Sequence, residues 1–357
     1  MGFFNALHCV ANLAAQSLLL AAAIFCRKGG ILWAASVGQP RPRQTATADT
    51  LQDKHKNLLA KRIVRVALGA ALVLGLVFGL DTEALWAVVR QAEVSWFLAG
   101  LGLAVLANLV CAWRWKQIAA DLGIEARFGL WARRYFQGIS VNSVLPGGII
   151  GGDVWRASQF RPLAASAQAV LLDRVSGLWG LAWVSLACIP IALLLAIPAP
   201  GHALGMPLLV WGGLYSLGLA LLALGPFMVA AIPFGPAHPV RAAAQNPILR
   251  KTLAVSVASQ VLTILAFWAC LLAVQGSVSL LWLAGLCTAI FLSAMLPASL
   301  GGFGARELGA VFFLGFVGLP AEKAFVASIL FGLTATLQGA FALVFFFYGE
   351  RPASAGQ

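Results

Sequence analysis

The sequence predicts an all-α, polytopic transmembrane bundle of about seven to eight spanning helices, with two Gly/Pro-broken segments set among them. Three observations carry that expectation. Hydrophobic residues make up 61% of the 357-residue chain and charged residues only 10%, against roughly 25% charged in a soluble domain. The apolar runs are long and continuous rather than alternating, which favours helices over a barrel built from alternating segments of about ten residues. In hydrocarbon every backbone N–H and C=O needs an internal partner, so helices are the form such runs can take.

The spans follow in order. Apolar runs at 63–80, 95–113, 168–197, 207–232, 252–274, 280–297 and 323–348 are each long enough to cross or nearly cross a bilayer. Residues 81–94 hold Asp81, Glu83 and Glu93 against Arg90, as an outer loop does. Residues 114–134 hold Arg114, Lys116, Arg127, Arg133 and Arg134 against Asp121 and Glu125, and 233–251 hold Arg241, Arg250 and Lys251 with no acid. Both read as cytoplasmic under the positive-inside rule, on one alternating path from a cytoplasmic residue 62. Trp86, Trp96, Trp113, Trp115 and Trp131 fall near these interfaces, where anchoring aromatics are enriched.

Ahead of this core, residues 1–62 form an N-terminal extension. Its stretch 3–25 is moderately apolar but lacks a basic leading region, which makes it a poor signal peptide. A further spanning helix and a simple extension both remain open there. Residues 38–62 are polar and read as a flexible linker, residues 63–348 as the transmembrane domain, and 349–357 as a short polar tail.

The formal net charge of +12 does not make this a nucleic-acid binder, because the basic residues flank hydrophobic runs instead of forming one patch. Cys9, Cys26, Cys111, Cys188, Cys270 and Cys287, like His8, His55, His202 and His238, show no pairing or ligand spacing. No metal site and no cofactor is expected. Nothing fixes an oligomeric state.

Two segments depart from simple spans. One runs from Tyr135 to Arg156 through Leu145-Pro146-Gly147-Gly148 and Gly151-Gly152; the other runs from Leu292 to Glu307 through Leu296-Pro297 and Gly301-Gly302. Each has Leu-Pro, a Gly-Gly pair four or five residues after the Pro, then an Arg with an acid nearby. Pro removes a helical hydrogen bond and Gly loosens the backbone, so each reads as a helix that breaks within the membrane. Broken segments at matching places in two halves point to an internal repeat and to a transporter-type binding site; two unrelated kinks are the plainer alternative.

Between Arg127 and Arg306 the only acids are Asp153 and Asp173. Asp153 and Arg156 share a helix face and can pair. Asp173 and Arg174 are adjacent, point about 100° apart and need other partners; Arg306 and Glu307 repeat the adjacent arrangement. A charge at the bilayer centre costs about 2.5–3.5 kcal/mol, so such residues are buried against partners or face a polar cavity. Asp173-Arg174 is readable as an ordinary helix start at headgroup level. It is also readable, with Arg156 and Arg306, as the lining of a polar cavity between the two breaks.

The chemistry on offer is recognition rather than catalysis, and no catalytic residue is assigned. Arg suits phosphate through its planar fork, and free N–H groups at a helix start add an anion site. Asn142, Ser143 and Ser299 supply uncharged polar contacts. Gly147, Gly148, Gly151, Gly152, Gly301 and Gly302 allow either close approach of a head group or tight helix packing. The candidate binding set is completed by Asp153, Arg156, Asp173, Arg174, Arg306 and Glu307. No Walker A motif occurs, since Gly301-Gly302-Phe303-Gly304 lacks a following Lys-Ser/Thr.

Taken together, these residues resemble the lysylphosphatidylglycerol synthase transmembrane-region family of flippase-like membrane proteins. The resemblance rests on Arg114-Trp115, on Asn142-x-x-Leu-Pro-Gly-Gly-x-x-Gly-Gly-Asp153-x-x-Arg156, on Asp173-Arg174-x-x-Gly177, and on Leu296-Pro-x-x-x-Gly-Gly-x-Gly-x-Arg306-Glu307. It covers about residues 60–348. It implies a multi-pass protein of the bacterial inner membrane that binds and translocates a polar, phosphate-bearing lipid, either anionic or polyprenyl-phosphate-linked. Nine residues follow Tyr348, so the resemblance is to a short form without the C-terminal aminoacyltransferase domain. Two alternatives stand beside a flippase. One is a membrane-embedded enzyme of lipid-linked sugar, hopanoid or aminoacyl-phospholipid metabolism, with Asp153 or Asp173 as base. The other is an accessory subunit for a separate soluble transferase.

Overall fold

The computed structural model describes residues 74–144, 150–195, 215–220, 247–294 and 303–347, all inside the compact unit Arg62–Gln357. The N-terminal apolar stretch, the polar linker and the C-terminal tail lie outside the described residues. Among the described residues every regular element is a helix: α1 Thr82–Arg90, α2 Val94–Asp121, α3 Phe128–Val144, α4 Ile150–Ser158, α5 Leu163–Leu194, α6 Pro247–Lys251, α7 Leu253–Ala273, α8 Leu280–Ser293, α9 Ala305–Gly315, α10 Ala321–Ala342 and α11 Val344–Phe347.

Four of these, α2, α5, α7 and α10, are long and apolar enough to cross a membrane, and α8 is apolar but shorter. They match the runs expected at 95–113, 168–197, 252–274, 323–348 and 280–297. Of the runs at 63–80 and 207–232, only residues 74–80 and 215–220 are described, with 74–79 and 215–220 helical.

Two expected loops fold instead. Residues 81–94 contain α1, whose start is fixed by Asp81: its carboxylate accepts from the N–H groups of Glu83 and Ala84 at 2.9 and 3.2 Å. Glu83 in the first turn and Arg90 in the last complement the helix dipole. The stretch 114–134, expected as a cytoplasmic loop, is largely helical: α2 continues to Asp121 and α3 begins at Phe128. Ending the span where charge begins was the error, because Arg114 carries a buried counter-ion and need not leave the helix bundle. The same helices correct the aromatic assignment. Trp86, Trp96 and Trp113 are exposed, but Trp115 and Trp131 are fully buried, edge to face at 4.6 Å, with Phe160 stacked on Trp131 at 4.1 Å.

Described helices flank both expected breaks, whose central residues 145–149 and 295–302 lie outside the described residues. α3 stops at Val144 and α4 starts at Ile150; α8 stops at Ser293 and α9 starts at Ala305. The packing then repeats by exchange. α3 and α5 both contact the short helix α4, as α8 and α10 both contact the short helix α9. Across the bundle α3 packs on α10 and α8 on α5, while α2 packs on α7 along the most extensive helix pair. Swapping α2 with α7, α3 with α8, α4 with α9 and α5 with α10 returns the same set of partners, as two related halves require.

Candidate functional site

The first charged cluster assembles from five helices, because no one helix can neutralise its own charges. Asp173 sits ten residues past Leu163 in α5, about 15 Å along the helix, and is buried. It is therefore not at a helix start. Its Oδ1 accepts from Arg114 Nε of α2 at 2.8 Å and its Oδ2 from Arg156 Nη2 of α4 at 2.7 Å. Arg114 is further held by Ser259 Oγ of α7 at 3.2 Å, and Gly177 lies directly beneath its guanidinium. Arg156 lies over the rings of Trp115 and Tyr135, at 4.2 and 4.4 Å. Cation–π contact and two-sided pairing together offset the desolvation that a buried charge pays.

Arg174, one position on, points away from Asp173 as helical geometry demands. Its Nε and Nη2 both donate to Asp153 of α4, at 2.8 Å each. Asp153 and Arg156 do share a face, but their closest approach is 3.6 Å, and Asp173 is the better acceptor. Asp153, Arg156, Asp173 and Arg174 thus form one network.

The polar and glycine residues around the first break divide. Asn142 Oδ1 accepts from the N–H of Gly152 at 2.6 Å, which satisfies one of the orphan donors of the first turn of α4. That donor, expected to be free for an anion, is committed to the protein. A Cβ on Gly152 would collide with the carbonyl of Gly138, so tight α3–α4 packing explains this glycine. Gly151 precedes it in the first turn of α4 and is half-buried. Ser143 lies in the last turn of α3. Gly147, Gly148, Ser299, Gly301 and Gly302 lie outside the described residues.

The second cluster closes on itself. Glu307 accepts from the Gly304 N–H, where Gly304 takes a φ of +98° at the N-cap of α9, a backbone state that favours glycine. The same carboxylate accepts from Arg306 Nη2 at 2.6 Å and from Ser328 Oγ at 3.1 Å. Arg306 also donates to the Ser328 hydroxyl and carbonyl, each at 3.1 Å. Gly332 makes room for its guanidinium. Among the described residues no hydrogen bond or ion pair joins this cluster to the first.

Three groups of the first cluster escaped the sequence reading as site residues: Arg114, Tyr135 and Ser259. Arg114 had a signal, a basic residue next to Trp115 within a resemblance motif, but its acceptor lies 59 positions away. Beside the network, α2, α3, α10 and α11 enclose an apolar cleft of about 830 Å3, bordered by Leu101, Val105, Phe136 and Phe341, with Arg133 and Gln338 as its polar members.

The family model described as the lysylphosphatidylglycerol synthase TM region matches residues 62–342. The chain belongs to that family. No curated protein matches it. The lysylphosphatidylglycerol synthase TM region match ends at the last residue of α10, so it takes in both charged clusters and all four long apolar helices. Membership together with those helices makes this a multi-pass integral membrane protein, in a family tied to lipid metabolism and transport.

Proposed function

We propose that the chain is an inner-membrane flippase-like transporter that binds the phosphate-bearing head group of a membrane lipid and carries it across the bilayer. The observation that carries this reading is the Arg-rich network on α2, α4 and α5, in which three guanidinium groups face two carboxylates. A positive excess held inside a membrane protein suits an anionic ligand, and the guanidinium fork matches phosphate oxygens. Part of the network is reachable: the side chains of Arg174 and Asp153 are 37% and 21% exposed. The apolar cleft on the other side of α3 suits the acyl or isoprenoid tail that accompanies such a head group. The resemblance motifs support the same reading, because their charged residues are the ones that pair.

The test is reconstitution into vesicles with phosphatidylglycerol carrying a fluorescent acyl chain, followed by quenching of outer-leaflet label. The protein should speed exchange between leaflets, and an Arg156→Ala, Arg174→Ala double variant should lose at least about tenfold of that rate, since a hydrogen bond to a charged group is worth about 1.5–3 kcal/mol. Equal rates for the two proteins across a panel that also includes polyprenyl phosphates would overturn the proposal.

A further inference from the structure

The two acids of the first cluster are held in different ways. Asp173 is sealed between Arg114 and Arg156, with 2% of its side chain exposed. Asp153 is not. Its two oxygens lie on the Nε and Nη2 of Arg174 in the two-bond fork that a guanidinium offers equally to a carboxylate or a phosphate. Its other neighbour, Arg156 Nη1, stands at 3.6 Å, beyond good hydrogen-bond length. Arg156 Nε is buried with no partner. The carboxylate therefore engages one guanidinium fully and leaves donor capacity on the second unused. Both members of the Asp153–Arg174 pair are partly open to the outside, whereas Arg114, Arg156 and Asp173 are closed in.

We infer that the Asp153 carboxylate occupies the seat of the ligand's phosphate, and that a phosphate-bearing head group binds by displacing Asp153 from Arg174. This rests on the head-group reading above. Asp153 is then not a ligand contact but an internal competitor. A phosphate's oxygens are set tetrahedrally on longer bonds than a carboxylate's, so they can span Arg174 and the idle capacity of Arg156 together. Asp173 stays in place throughout and keeps Arg114 and Arg156 paired. The competitor lowers apparent affinity by the fraction of time it holds the seat, which favours release after crossing and keeps Arg174 from remaining a bare cation when no lipid is bound.

Binding of fluorescent-acyl phosphatidylglycerol to the detergent-solubilised full chain tests this, with inorganic phosphate alone as a second ligand and Asp153→Asn, Asp153→Glu, Arg174→Ala and Asp153→Asn/Arg174→Ala as variants. Size-exclusion profiles check that each is folded. Asp153→Asn should bind the lipid at least about tenfold tighter, as removal of a charged competitor implies, while Asp153→Glu, which keeps the competitor, stays closer to wild type. The double variant should bind as weakly as Arg174→Ala, because the gain acts through Arg174. Tightening with inorganic phosphate as well assigns the seat to phosphate itself; tightening with the lipid only assigns it to the whole head group. Asp153→Asn that binds no tighter, while wild type binds in an Arg174-dependent way, overturns the competitor and leaves the head-group reading standing. If Asp153→Asn is misfolded, Asp153→Ala takes its place, and binding by it no tighter than by wild type overturns the competitor equally. Absence of Arg174-dependent binding in every protein overturns both.

Discussion

Asp173 accepts from two guanidinium groups inside an apolar helix, and neither donor has a second carboxylate at hydrogen-bond distance. Removing it strands two buried cations. Asp173→Ala should therefore cost about 3–5 kcal/mol, the penalty for breaking a buried pair by deleting one partner, and should appear as a large drop in thermal stability in detergent. Asp153, 21% exposed opposite an Arg174 that is 37% exposed, is less fully desolvated than Asp173 and should contribute less to stability. The need of Asp173 and Arg174 for separate partners was legible from their adjacency, since a 100° step cannot serve one acceptor. Which partners they take was not. Arg114 lies 59 residues from Asp173 in sequence and Ser259, which accepts from Arg114, lies 145 residues from Arg114, so only the bundle brings them together.

At the scale of elements, glycines of the described helices separate into two kinds. Gly152 presses against the backbone of Gly138, while Gly102 on α2 has open space around it. Gly152→Ala should force α4 from α3 and destabilise the protein by about 1–3 kcal/mol, as overpacking does; it should also disturb Asp153 and Arg156, which α4 carries. Gly102→Ala should leave stability within about 0.5 kcal/mol or raise it slightly. Thermal unfolding of the two variants side by side checks the contrast. The sequence left head-group approach and helix packing equally open for Gly152, because a Gly-Gly pair looks the same in either role. Position against a neighbour's carbonyl is what separates them. Helix ends were similarly hidden. α2 runs eight residues beyond the expected end at 113, since a charge ends an apolar run in sequence but not a helix whose charge is paired.

On the scale of the whole molecule, the exchange of partners between α2–α5 and α7–α10 makes the α5–α8 and α3–α10 contacts equivalent. The first is fastened by Ser185 and Thr288, whose hydroxyl oxygens lie 2.7 Å apart; the second by Ser140 Oγ donating to the Gly339 carbonyl at 2.6 Å. In a background without native cysteines, Ser185→Cys with Thr288→Cys should cross-link under a membrane-permeable oxidant, seen as altered gel mobility that reductant reverses. If transport requires the two halves to move against each other, the cross-link should abolish lipid exchange and reduction should restore it. Unchanged exchange in the fully cross-linked protein would show that this contact stays rigid during crossing.

The sequence by itself determined that the chain is an all-helical membrane protein and where most spans lie, and it marked two Leu-Pro/Gly-Gly segments between them. Composition and run length decide those properties, because hydrocarbon admits no unpaired backbone and imposes a minimum length on any crossing helix. The tertiary structure alone decided which charges meet. It joined Arg114 to Asp173 and Arg174 to Asp153, turned Arg306 and Glu307 onto Ser328, and left Asp153 as the reachable acid of the first cluster. Those pairings depend on how helices far apart in the chain cross in space, and local spacing carries no record of that.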